Sequence, residues 1–155
     1  MNVNTVFISD FTDIRFRTAF QFYFSELGIH VSDWEGLFRE MNEDKHNQNF
    51  AFLMTDDGGN TAGFLQFQMN EFSSWFFREP FGFIRELWIH PSRRGQGLGT
   101  ALLHTAERYF AANGAYRSVL TADDAEGFYL ANGYEKAPGI QAKNKMEVLV
   151  KKISE

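Results

Sequence analysis

The stretch ELWIHPSRRGQGLGT, residues 86–100, constrains the fold more than any other part of the chain. Leu87 to Ile89 read as the end of a strand, and Pro91 stops it. Leu98, Ala101, Leu102, Ala106, Tyr109 and Phe110 then recur at helical spacing. A strand that runs through Gly95, Gly97 and Gly99 straight into a helix is a βα unit, and such a unit belongs to a sheet covered by helices. Glycines in that turn leave backbone N–H groups uncovered. The first helical turn adds unpaired N–H donors and the positive end of the helix dipole. Arg93 and Arg94 contribute formal charge, so the segment reads as an anion site.

Two nucleotide readings of this loop fail on spacing. A Walker A loop needs Gly-x4-Gly-Lys-Ser/Thr, and no Lys lies in the segment. A dinucleotide fingerprint needs a glycine three residues after Gly97, where Thr100 stands.

The remaining elements follow from periodicity. Val6 and Phe7 sit in a short opening strand. Phe16, Ala19, Phe20, Tyr23, Phe24 and Leu27 form one helix face, ended by Gly28. Ser32 and Glu35 have the spacing of a capping box ahead of Trp34, Leu37, Phe38 and Met41. Residues 50–54 read as a strand and 56–60 as a turn. Leu65, Phe67 and Met69 alternate with Gln66, Gln68 and Asn70 in the next strand, and residues 81–89 form another. A strand at 118–122 leads to a short helix with Ala125, Phe128 and Tyr129, capped by Asp123 or Asp124 and closed by Asn132 and Gly133. Met146, Val148 and Val150 alternate in a final strand. The order βααβββαβαβ predicts an α/β fold, a mixed central sheet flanked by helices, with hairpins first and crossovers later.

Composition narrows the function. With 155 residues the expectation is one domain over 1–155. There are no cysteines, which removes disulfides, thiolate zinc sites and cysteine nucleophiles. The first residues lack the basic and apolar regions of a secretory signal, and no apolar run reaches membrane-spanning length. A cytoplasmic protein is expected. His30, His46, His90 and His104 show no metal-ligand spacing, so no metal is expected. Of the 18 Phe, only Phe110 and Phe128 lie beyond Phe83. Residues 1–83 carry 12 acids and 5 bases, residues 84–155 carry 8 acids and 10 bases. This acidic balance disfavours nucleic acid as a partner. The acidic, Phe-rich first half predicts an acceptor with at least two positive charges, the second amine held by Glu71 and Glu79, or with an ammonium next to apolar surface. The Phe72–Phe83 segment reads as a specificity loop, as the contact of a homodimer or as local core.

The residues Arg94-x-x-Gly97-x-Gly99 resemble the acetyl-CoA signature of the GNAT superfamily of N-acetyltransferases. Ala125-x-x-Phe128-Tyr129-x-x-x-Gly133-Tyr134 resembles its second signature. The resemblance is detailed over residues 84–134 and implies a GNAT-like acyl-CoA N-acyltransferase fold. It implies that the pyrophosphate of acetyl-CoA sits on the turn of Arg93, Arg94, Gly95, Gln96, Gly97, Leu98, Gly99 and Thr100. The pantetheine arm would pair with Leu87, Trp88 and Ile89, where two strands splay apart. Tyr129 takes the general-acid position, although its spacing alone also fits a core aromatic. Glu86 is the candidate base, or else a paired or solvated carboxylate; Glu86, Trp88 and His90 share one strand face. Many relatives carry an Asn ahead of the second signature, where this chain has Thr121 to Asp124. The implied activity is direct transfer of acetyl to a small-molecule or peptide amine. The alternative is a noncatalytic acyl-CoA sensor or partner-binding module on the same fold.

Overall fold

The computed structural model describes residues 2–44, 48–73, 77–122 and 124–153. In chain order it contains β1 (Val3–Ile8), α1 (Ile14–Glu26), α2 (Trp34–Glu43), β2 (Gln48–Asp56), β3 (Thr61–Ser73) and β4 (Arg78–Ile89). A 3-10 turn at Pro91–Arg93 leads to α3 (Leu98–Ala112), β5 (Arg117–Ala122), α4 (Glu126–Ala131), β6 (Glu135–Lys136) and β7 (Glu147–Lys152). The strands form one seven-stranded sheet in the order β1-β2-β3-β4-β5-β7-β6. β4 and β5 are parallel and the other neighbouring pairs antiparallel, so the sheet is mixed, as its pattern predicted. Among the described residues no helix is long and apolar enough to cross a membrane.

Alternation along β3 sends side chains to two cores. Leu65 and Phe67 join Leu102, Leu103, Phe110 and Leu120 on the α3 side. Phe64 joins Phe16, Phe20, Phe38 and Trp88 under α1 and α2. The excess of Phe in the first half therefore fills both faces of the sheet. Phe16 alone has three ring neighbours within 5.3 Å: Phe11, Phe20 and Phe64. β4 lies so close to α3 that a Cβ on Gly82 would stand 2.2 Å from the Phe110 ring.

Several local expectations need correction. The N-cap of α2 is Asp33, not Ser32; its carboxylate accepts from the Gly36 N–H at 2.9 Å, while Glu35 pairs with Arg17. Asp is as good a cap as Ser, and the spacing alone did not distinguish neighbours. α4 starts after Ala125 with no side-chain cap, so Asp124 does not cap it, and Asp123 lies outside the described residues. Residues 72–73 and 78–83 are strand, because β3 and β4 pair out to Ser73 and Arg78. The expected loop shrinks to the hairpin end. Only β4–α3–β5 is a parallel crossover; the chain after α4 returns through β6, whose two exposed residues carry no alternation to read. Ala101, placed on the apolar stripe of α3, is exposed.

Candidate active site

β4 leaves β5 part-way along. The two strands pair from Phe81–Arg117 to Ile84–Leu120, and no further. At the divergence the β3–β4 register skips Arg85, since Gln66 faces Glu86 while Phe67 faces Ile84. This bulge puts Arg85 and Glu86 on the same side of the sheet and bends β4 away from β5. Beyond it, the His90 N–H bonds the Ala62 carbonyl in β3, at 2.8 Å. Backbone groups alternate in an antiparallel strand, so Trp88 also faces β3, whereas Leu87 and Ile89 face the opening. The Ile89 carbonyl accepts from Arg94 Nε at 2.9 Å.

The glycine turn lies at the end of this opening. Gly95 and Gly97 have φ of 79° and 80°, and a Cβ on either would meet nothing within 4 Å. Gly97 is the N-cap of α3 and supplies no side chain to its donors. The first N–H groups of the helix are thus left for a ligand or water. Gly99 has an ordinary φ; its missing side chain leaves room beside Phe128, 3.4 Å from where a Cβ would stand. Leu98 packs on the α3 core, and Gln96 is exposed. Both arginines meet carboxylates: Arg93 stands 3.6 Å from Asp56, and Arg94 2.7 Å from Glu26. Glu26 also accepts from Trp88 Nε1 at 3.0 Å, and these two donors lower its pKa, Trp88 more than Arg94.

A cleft of about 680 Å³ runs between β4 and α4, lined by Leu87, Ile89, Arg94, Gly99, Phe128 and Tyr129. A second cavity of about 840 Å³ opens on the other side of the divergence, with Glu86, Asn70, Phe83 and Met146 in its wall. Tyr23, Leu87, Ala125 and Tyr129 border both.

A profile of the acetyltransferase (GNAT) family matches residues 13–134. The chain belongs to the GNAT family. No curated protein matches it in sequence. Solved structures share the fold at low identity. A predicted acetyltransferase from Clostridium acetobutylicum, solved with acetyl-CoA, has a TM-score of 0.73 and 15% identity, over 91% of this chain and 95% of that one. A GNAT-family acetyltransferase from Staphylococcus aureus Mu50 has a TM-score of 0.70 and 11% identity, over 99% and 100%. The PaiA N-acetyltransferase from Thermoplasma acidophilum, in complex with coenzyme A, has a TM-score of 0.59 and 15% identity, over 98% and 99%.

In this GNAT chain Glu86 and Tyr129 both line the cavity, and Tyr129 also borders the cleft. Glu86 Oε2 accepts a short hydrogen bond from the Tyr23 hydroxyl. Burial raises the Glu86 pKa, against the lowering effects of Tyr23 and Arg85. Burial, and then the Glu86 charge, pushes the Tyr129 hydroxyl up to about 12. Tyr23 was read only as part of an apolar stripe; it is the one hydroxyl on a face otherwise made of Phe, Ala and Leu. His90 is committed to the turn, with its Nδ1 accepting from the Ser92 N–H and its ring stacked on Phe22. Glu71 and Glu79 line neither cavity nor cleft: Glu71 pairs with Arg78 and Glu79 with Arg117. Among the described residues no three His, Asp or Glu side chains stand together as a metal site.

Proposed function

We propose that this chain transfers an acetyl group from acetyl-CoA to an amine bound in the cavity beside Glu86. The observation that carries this reading is Tyr129 bordering both the cleft beside an anion-ready glycine turn and the cavity that Glu86 lines. The turn suits a pyrophosphate: two left-handed glycines with open space above them, and a helix N-terminus without a side-chain cap. The N–H and carbonyl of Leu87, facing the opening, suit an extended amide-bearing arm. When bound, acetyl-CoA supplies an activated thioester.

The chain's own residues then manage two protons. Glu86 holds a raised pKa and keeps Oε1 free of hydrogen bonds among the described residues, so it is placed to take a proton from an ammonium. Tyr23 holds the other oxygen and fixes the carboxylate. Tyr129, protonated at neutral pH, is the donor on the leaving-group side. A phenol near pKa 12 gives its proton to a thiolate, ordinarily near 8.5, only at a cost of several kcal/mol. Part of that rise comes from the Glu86 charge, which vanishes when Glu86 takes up a proton. Proton uptake at Glu86 thus makes Tyr129 a better donor at the moment one is needed.

The test is thiol release from acetyl-CoA with a panel of amines, on wild type and Tyr129→Phe. The phenyl ring keeps the packing, so acetyl-CoA affinity should hold while turnover falls about 10²–10⁴-fold. Equal turnover makes Tyr129 a packing residue. Tight acetyl-CoA binding without thiol release from any amine establishes the noncatalytic binding module instead.

A further inference from the structure

The charged side chains lining the 840 Å³ cavity are Arg85, Lys143 and Glu86. Arg85 owes its place to the bulge in β4, and Lys143 to the connection between β6 and β7. Both are exposed, and neither forms an ion pair among the described residues. Two cations thus line the same cavity as one carboxylate whose burial favours its neutral form. Phe81, Phe83, Ile140 and Met146 supply apolar wall.

We infer that the acceptor is a small amine that also carries a carboxylate and an apolar body, as an apolar amino acid does. The inference rests on the transferase reading above and names its substrate class. Glu86 takes the amine, Arg85 and Lys143 the carboxylate, and the aromatic and aliphatic wall the side chain. A guanidinium fork pairs a carboxylate through two parallel hydrogen bonds, and a lysine beside it adds a point charge. A second ammonium would instead meet Arg85 and Lys143. The polycationic acceptor expected from overall charge is therefore disfavoured, because the acids responsible for that charge lie outside the cavity.

The experiment compares phenylalanine, its amide, phenethylamine and spermidine in the thiol-release assay, at low and high salt. Phenylalanine should exceed phenethylamine and the amide by at least about tenfold in kcat/KM, the worth of one charged hydrogen bond. That ratio should shrink at 1 M salt, where the Debye length is about 3 Å. Arg85→Glu should collapse or invert it; the ratio within each protein is its own control for folding. Calorimetric titration of phenylalanine and phenethylamine into protein saturated with CoA reads the same preference without turnover. Thiol release that is equal or faster with phenethylamine or spermidine overturns the acceptor inference and leaves the transferase reading standing. Carboxylate-selective binding with no thiol release from any amine overturns the transferase reading and leaves the pocket's preference standing. Equal binding of both titrants overturns the inference whatever the turnover.

Discussion

Glu86 is kept at a cost to the fold. Its pKa is raised in the native state, so the folded protein binds its proton more tightly than the unfolded chain, where a glutamate titrates near 4.3. The stabilising state is the protonated one, fully present below the unfolded value and lost as pH rises through the raised native one. At neutral pH the charged form therefore destabilises the protein. Glu86→Gln still accepts from Tyr23 and removes the buried charge. The expected outcome is a higher Tm for the variant at pH 7, with the difference shrinking as pH falls towards 4, together with loss of thiol release. Thermal unfolding across that range checks it; a variant that is less stable at pH 7 assigns Glu86 a structural role. At this scale the sequence marked a candidate only where a residue sat in a pattern with a chemical meaning. Glu86 stood on a strand face and Tyr129 inside a signature. Tyr23 had no such marker, because its hydrogen bond to Glu86 depends on β4 meeting α1, a contact of long sequence separation.

Elements were legible by type, and their ends less so. Each long apolar stripe became the expected helix or strand, yet β2, β3 and β4 all extend past the residues the pattern marked. Strand length is set by pairing with a neighbour, and the polar residues at the hairpin end pair as well as apolar ones. The bulge at Arg85 was invisible for the same reason, since it exists only in the register of β3 against β4. The α2 cap makes the point testable. Asp33→Ala removes the acceptor of the Gly36 N–H and should cost about 1 kcal/mol, whereas Ser32→Ala should cost far less. Denaturant unfolding of the two variants decides between them, and neither should change acetyl-CoA affinity, because α2 borders neither the cleft nor the glycine turn. A larger loss for Ser32→Ala would return the cap to the expected position.

For the whole molecule, net charge was the weakest guide. The first half is acidic in sequence, but three of its twelve acids pair with cations in the opposite half: Glu26 with Arg94, Asp56 with Arg93 and Glu79 with Arg117. The same pairs join α1 and β2 to the segment that leads into the glycine turn, and β4 to β5, so the cleft borders lie on segments from both halves. A ligand in the cleft that binds only this assembled state must stabilise the whole fold. At a free concentration 100 times its dissociation constant, acetyl-CoA should add about 2.7 kcal/mol. For a chain of this size that is a rise in Tm of roughly 5–11 °C. Gly97→Glu should abolish most of the shift while leaving the cavity beside Glu86 intact, since it sets a carboxylate against the uncapped start of α3. Gly97 also holds φ at 80°, so the variant's own Tm without ligand will be lower, and the readout is the ligand-induced difference within each protein. A full shift in the variant moves the anion site off the glycine turn; no shift in the wild type removes acetyl-CoA from the cleft altogether.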